Sequence, residues 1–330
     1  MASPSDAPFA KRLRSLRPFP HEWVILAYLA VSFWLLEHMP VTYPRTALLL
    51  AYARPVFLIA LVAALVVLLR LRFGKEPREP LADTAFAIGR ICLLLMVAWA
   101  THFLLKSFVF VINPRTWDLQ LAVWDQRIHL GFSPSAFFTA LFRARLFLNV
   151  LDLFYSGFYY FIVIGYAGAL LGLLPQRLRF AFGAAFTLTW VVGSVLYVAF
   201  PSWGPVYVFS SEFVETLRYM PITVSVQRVL YEEISSLVRN PEALRYVKFG
   251  SVAAFPSLHV AVVTLYAAAS RRVSRRWFHA NILLVVAMVL GSVITGYHYL
   301  IDAWAGIILA LGLWWACAWW FERGEERDTP

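Results

Sequence analysis

Apolar runs long enough to cross a bilayer recur along nearly the whole chain, and they remove most of the folds open to 330 residues. In hydrocarbon every backbone N–H and C=O must be paired inside the protein, so spanning segments are helices or closed barrels. Continuous apolar stretches, rather than alternating ones, select helices. We read spans at roughly 22–39, 47–70, 86–112, 149–174, 179–200, 256–270, 277–297 and 299–321. The sixth is short for a full crossing, so it is either buried in the bundle or wrongly bounded. The expected fold is an all-α polytopic membrane helix bundle.

Composition agrees: 61% of residues are hydrophobic, and the mean hydropathy of +0.67 exceeds that of ordinary soluble domains. The two cysteines, Cys92 and Cys317, lie inside apolar runs, which argues against a disulfide framework or a cysteine metal cluster. The formal charge of +10 is topological. Lys11, Arg12, Arg14 and Arg17 precede the first span, Arg70, Arg72, Lys75 and Arg78 follow the second, and Arg177 and Arg179 separate the fourth from the fifth. Arg271, Arg272, Arg275 and Arg276 separate the sixth from the seventh, and Arg323 and Arg327 follow the last. With eight spans all these segments share one side, which the positive-inside rule makes cytoplasmic, and nucleic acid is not needed as a partner. The segment 201–255 carries equal numbers of acidic and basic residues, as a translocated loop can. The N-terminus lacks the small-residue cleavage site of a signal peptide and reads as a cytosolic tail. Segment 113–148, with Trp117, Leu121 and Trp124 at spacings of four and three, reads as an interfacial amphipathic helix.

The residues that carry chemistry bound the stretch 249–306. It opens with FGSVAAFPSLHVA and closes with TGYHYLIDAWAG, which puts His259 at the start of one helix and His298 at the end of the next. Both histidines fall on the non-cytoplasmic face of a topology set by Lys and Arg alone. Asp302, four residues after His298, shares a helix face with it if a helix begins there. Two imidazoles and a carboxylate at one membrane surface suit proton and phosphoryl chemistry. Two histidines and an aspartate could also begin a zinc site, but no fourth ligand or H-E-x-x-H spacing supports one. A Ser257–His259–Asp302 hydrolase triad lacks the G-x-S-x-G elbow. His102 and His279 read as histidines hydrogen-bonded within the bundle. Lys106 and Asp152, costly in lipid, read as structural pairs facing the interior, with a substrate role for either as the alternative. Tyr155, Tyr159 and Tyr160 read as interfacial packing.

FPSLHVA and GYHYLID resemble the second and third signature motifs, P-S-x-H and S-R-x5-H-x3-D, of the type 2 phosphatidic acid phosphatase superfamily. The resemblance covers roughly residues 86–321. It implies a six-helix core there and an extension of two helices in 22–85; the topology adds outer loop 201–255 and cytosolic tails at 1–21 and 322–330. By the same resemblance His298 is the nucleophile that takes the phosphoryl group, Asp302 holds its tautomer, and His259 is the general acid and base. Ser257 and the first amides of its helix would bind phosphate oxygens. No metal or other cofactor is implied.

Two departures stand out. The arginine six residues before the nucleophile is replaced by Ser292, and the lysine and arginine of the first motif, K-x6-R-P, fall at Tyr197 and Gly204. Phosphoryl transfer without cations on the equatorial oxygens would be slow, so either others substitute or the protein is not an ordinary phosphatase. Lys248, Arg228 and Arg245 in the outer loop are the candidates, with Arg239 behind them. The same departures, with the leucine before His259, resemble inositol phosphorylceramide synthase and its bacterial relatives. That branch implies a lipid phosphotransferase, with membrane lipids as substrates; the topology puts its site on the non-cytoplasmic face, and the lack of an obvious targeting segment and the compact loops favour a bacterial inner membrane. A lipid phosphate phosphatase shares every named residue, and a lipid-binding or translocating protein that lost its clamp is the reading from another class.

Overall fold

The computed structural model describes residues 18–39, 57, 58, 61, 81–169, 174–239 and 252–323. The expected second span, 47–70, lies almost wholly outside them, as do Arg245 and Lys248. The described residues are all-α. In chain order the helices are α1 (Pro20–Glu37), α2 (Leu81–Ser107), α3 (Val109–Ile112), α4 (Asp118–Ile128), α5 (Pro134–Leu141), α6 (Arg145–Ser156) and α7 (Phe158–Gly168). Then follow α8 (Gln176–Ala199), α9 (Pro205–Val208), α10 (Val214–Leu217), α11 (Pro221–Arg239), α12 (Leu258–Ser270), α13 (Arg275–Ile294) and α14 (Leu300–Arg323).

Four described helices contain stretches long and apolar enough to cross a membrane: Ile88–Ser107, Arg177–Ala199, Arg275–Ile294 and Leu300–Glu322. α6 and α7, bent by 54° at their junction, pass the same test only when taken together. The sequence suggests a continuous span at 149–174; the break falls at Gly157, a residue type at which helices readily kink. α1 carries Glu22 and Glu37 and is not among the helices long and apolar enough by that test. It is fastened to α2 by Arg90, whose Nε donates to Glu22 Oε1 at 2.6 Å, and to α8 by Tyr28 Oη donating to Ser194 Oγ at 3.0 Å.

α12 resolves the question of the short sixth span. Thirteen residues rise only about 20 Å, and α12 is instead the centre of the bundle, packed against α13, α14 and α8 and buried round most of its circumference. Non-helical backbone at such depth survives only when protein covers it, and the segment 252–257 leading into α12 is covered. The tightest approach is Gly306 on α14. A Cβ there would press into the Ser257 carbonyl and crowd the Ala261 amide, both backbone groups that cannot swing away. Gly306→Ala is therefore expected to cost about 1–3 kcal/mol, the usual range for overpacking, and to lower the Tm in detergent. An unchanged Tm would mean that α12 and α14 do not meet this closely.

Two segments depart from expectation. Segment 113–148 is not one amphipathic helix but α4, α5 and the start of α6. α4 also buries its acids, Asp118 and Asp125, and exposes Leu119, Val123 and Trp124. Segment 201–255, read as a loop, contains α9, α10 and the nineteen-residue α11. α11 buries Thr223, Gln227, Leu230, Ile234 and Leu237, a stripe at spacings of three and four. Asp152 of α6 anchors its first turn, accepting from Ile222 N at 2.9 Å, Thr223 N at 2.8 Å and Thr223 Oγ1 at 2.7 Å. The expected structural role for Asp152 is thus met by amides and a hydroxyl. Hydrogen bonds to a charged group are worth about 1.5–3 kcal/mol each, so Asp152→Asn is expected to loosen α11 first. Faster hydrogen exchange confined to 221–239 would register it.

Candidate active site

Three chain segments meet at one end of α12. The first is Ser202–Pro205, the second 252–259, and the third Thr295–Asp302 at the α13–α14 junction. Backbone bonds tie them together: Ala254 N donates to Ser202 O at 3.1 Å, Ser257 N to Asp302 O at 2.9 Å, and Val206 N to Gly296 O at 2.9 Å. Buried carboxylates from α4 complete the frame. Asp125 accepts from Leu300 N at 3.3 Å and Ile301 N at 2.7 Å, so it caps α14 directly behind His298. Asp118 accepts from Trp203 N at 3.0 Å, Gly204 N at 2.9 Å and Tyr299 Oη at 3.2 Å. Burial pushes both carboxyls up from the ordinary range, and these N–H donors pull them back down.

His298 is buried, and its Nδ1 lies 2.7 Å from the Ala254 carbonyl oxygen. A carbonyl can only accept, so Nδ1 carries the proton and Nε2 presents its lone pair. Asp302 Oδ2 stands farther off, 3.5 Å from Nδ1, and accepts from Tyr299 N at 2.9 Å. The nearer holder of the ring is therefore a backbone carbonyl, with the carboxylate behind it. Burial, reinforced by the Lys106 ammonium, lowers the His298 pKa to about 3, so the ring is neutral at physiological pH.

His259, in the first turn of α12, faces His298 edge-on with ring centroids 5.7 Å apart. Tyr155 stacks on it at 5.0 Å and Phe158 packs at 4.2 Å, so the bend at Gly157 brings residues from both α6 and α7 onto one imidazole. Tyr155 fits because residue 291 is glycine: a Cβ there would run into its ring. Tyr155, read from sequence as interfacial packing, is part of the site.

Three buried polar atoms here have no hydrogen-bond partner among the described residues: Ser257 Oγ, Tyr155 Oη and Asp302 Oδ1. Unsatisfied buried polar groups are uncommon and each needs an explanation, of which a bound ligand is one. Lys106, near the end of α2, joins them. Its Nζ sits 5.2 Å from the centre of the Tyr197 ring, and its charge acts on both His259 and His298. Tyr197 occupies the position expected from the motifs to hold a lysine, and here it supports a lysine from the neighbouring helix. Ser292, at the expected arginine position, is buried; its carbonyl accepts from His298 N at 3.2 Å.

Of the clamp cations read from sequence, Arg228 is exposed on α11, one residue from Gln227, whose Nε2 donates to Thr295 O at 2.7 Å. Arg239 is exposed at the far end of α11. Lys106 was legible only as a charge in an apolar helix; its distance in sequence from both motifs concealed its partners. His102, one turn deeper on α2, makes the expected internal bond, Nδ1 to Ser194 Oγ at 2.8 Å, whereas His279 is exposed.

A family model described as the PAP2 superfamily matches residues 119–316, more than half of the chain. The chain belongs to the PAP2 superfamily. No curated protein and no solved structure matches it. Membership makes it a lipid enzyme of the phosphatase or phosphotransferase type, and with its apolar helices a multi-pass membrane protein. The matched region begins in α4 and ends in α14, so it contains both PAP2 histidines but not Lys106.

Proposed function

We propose that this PAP2 protein is a metal-independent lipid phosphotransferase that works through a phosphohistidine on His298. His298 Nε2 attacks phosphorus in line, the bond to the leaving alcohol breaks, and His259 gives that oxygen a proton. An acceptor alcohol then returns a proton to His259 as its oxygen takes the phosphoryl group from His298. Ser257 Oγ and Tyr155 Oη donate to the equatorial oxygens, and Lys106 supplies the positive charge that the missing arginine and lysine do not. Arg228, and Arg245 and Lys248 outside the described residues, are reserved for the outer part of a headgroup.

The observation that carries this reading is the state of His298: Nδ1 is committed to the Ala254 carbonyl, which leaves the lone pair on Nε2, in a site where the Ser257 and Tyr155 hydroxyls have no partner among the described residues. Burial of His298 beneath the segments that α4 and α11 brace supports an alcohol acceptor over bulk water. The resemblance to inositol phosphorylceramide synthase points the same way. Donor and acceptor are membrane lipids or their alcohols; the distribution of arginines supports a site on the non-cytoplasmic side, and the membrane is taken to be a bacterial inner membrane.

The second reading is a lipid phosphate phosphatase, for which water is the acceptor. Purified protein given a phosphatidic acid and, separately, phosphatidylinositol, with and without added diacylglycerol, distinguishes them. Headgroup exchange that depends on the added alcohol supports the transferase; inorganic phosphate released regardless of alcohol overturns it in favour of the phosphatase. Ser257→Ala is expected to lower the rate about a hundredfold, as loss of one preorganised donor does. A rate within threefold of the parent would remove Ser257 from the phosphate site.

A further inference from the structure

The end of the bundle opposite the histidines holds a second feature that the catalytic reading does not use. A cavity of about 380 Å³ opens among α7, α8, α12 and α13, lined by Gly165, Phe182, Tyr266, Val273 and Trp277 and apolar apart from Ser270 and Asn281. It is separate from the histidine site: Tyr266, its first lining residue on α12, lies seven residues beyond His259, about 10 Å along the axis. The α12–α13 turn forms one side of its mouth. That turn interleaves the lining residues Ser270, Val273 and Trp277 with four exposed arginines, Arg271, Arg272, Arg275 and Arg276. Arg272 pairs with Glu322 at 3.3 Å, whereas Arg271, Arg275 and Arg276 have no carboxylate partner among the described residues. Trp277 is exposed at the rim, where an indole suits the boundary between acyl chains and headgroups.

We infer that this cavity and the arginine turn together form a binding site for an anionic phospholipid of the leaflet opposite the histidines, one acyl chain in the cavity and the phosphate on Arg275 and Arg276. The occupant follows from the two chemistries being contiguous. An apolar slot among membrane helices takes hydrocarbon, and cations one turn from its mouth select a negative headgroup over a zwitterionic one. A buried soluble cofactor would need polar lining groups, and Ser270 and Asn281 are too few. The site would tie the positions of α12 and α13, which carry His259 and lead to His298, to the lipid composition of the far leaflet.

The test uses the full-length protein in vesicles of equal phosphatidylglycerol and phosphatidylcholine, extracted gently and weighed by native mass spectrometry. One retained phosphatidylglycerol, favoured about tenfold over phosphatidylcholine, is expected, with the preference lost in R275Q/R276Q. Both substitutions lie on exposed side chains, so the fold is retained. Ala269→Phe, which fills the cavity, is expected to abolish retention of both lipids. Equal retention of the two lipids by the parent overturns the proposal. So does phosphatidylglycerol that survives R275Q/R276Q but is lost in Lys106→Gln, since that lipid would sit at the histidine site.

Discussion

Lys106→Gln is expected to lower kcat for lipid phosphoryl transfer by about 10²–10³-fold, the cost of removing one preorganised charge-stabilising group. KM should rise by less than kcat falls: the phosphate is already anionic in the ground state, so the lysine aids binding as well as the transition state. Lys106 comes from α2, outside the matched PAP2 region, yet its ammonium rests over Tyr197 and acts on both imidazoles. Lys106→Arg should recover part of the rate, since the charge is restored with a different reach. If Lys106→Gln kept more than a third of the parent kcat while remaining folded, the clamp would have to come from Arg228, or from Arg245 and Lys248 beyond the described residues.

His259→Gln should separate the two half-reactions. With a lipid phosphate donor the rate is expected to fall about 10²–10⁴-fold, the usual contribution of a positioned acid or base. With p-nitrophenyl phosphate, whose leaving group departs without a proton, the first step should survive. A burst of nitrophenolate equal to the enzyme, followed by a stall, is the expected trace, because the acceptor still needs a base. The contacts around His259 make the substitution selective: Tyr155 and Phe158 hold the ring by stacking, so an amide of similar length leaves the wall standing. Equal loss of the burst and of steady turnover would mean that His259 positions the phosphate rather than moving protons.

The sequence and the structure agree where the information is local. Spans such as 277–297 and 299–321 are legible because an unbroken apolar run permits only a helix in hydrocarbon, and α13 and α14 occupy them. Pro256, Ser257 and His259 are recognisable as a set because adjacent residues define a motif. What escaped depends on distant contacts. α11 carries its stripe in the clear, yet Thr223 and Gln227 within that stripe give it a loop's polarity; their partners, Asp152 and the Thr295 carbonyl, lie some seventy residues away. Asp118 and Asp125 look like the wet face of an interfacial helix until the amides they cap, at Trp203, Gly204, Leu300 and Ile301, come into view. Tyr155 reads as one aromatic among several, and only the bend at Gly157 brings it onto His259. The Ala254 carbonyl that orients His298 has no side chain to announce it.

The covalent intermediate is the centre of this account, and one measurement addresses it directly. The parent protein is mixed with a lipid phosphate donor, quenched in alkali to preserve a phosphorus–nitrogen bond, digested and mapped by mass spectrometry. The account predicts a phosphoryl or phospho-headgroup mass on the peptide at His298 of the parent, accumulating in His259→Gln when p-nitrophenyl phosphate is the donor, and absent in His298→Ala. Turnover with that peptide unmodified, or with the mass on Ser257 instead, would contradict it.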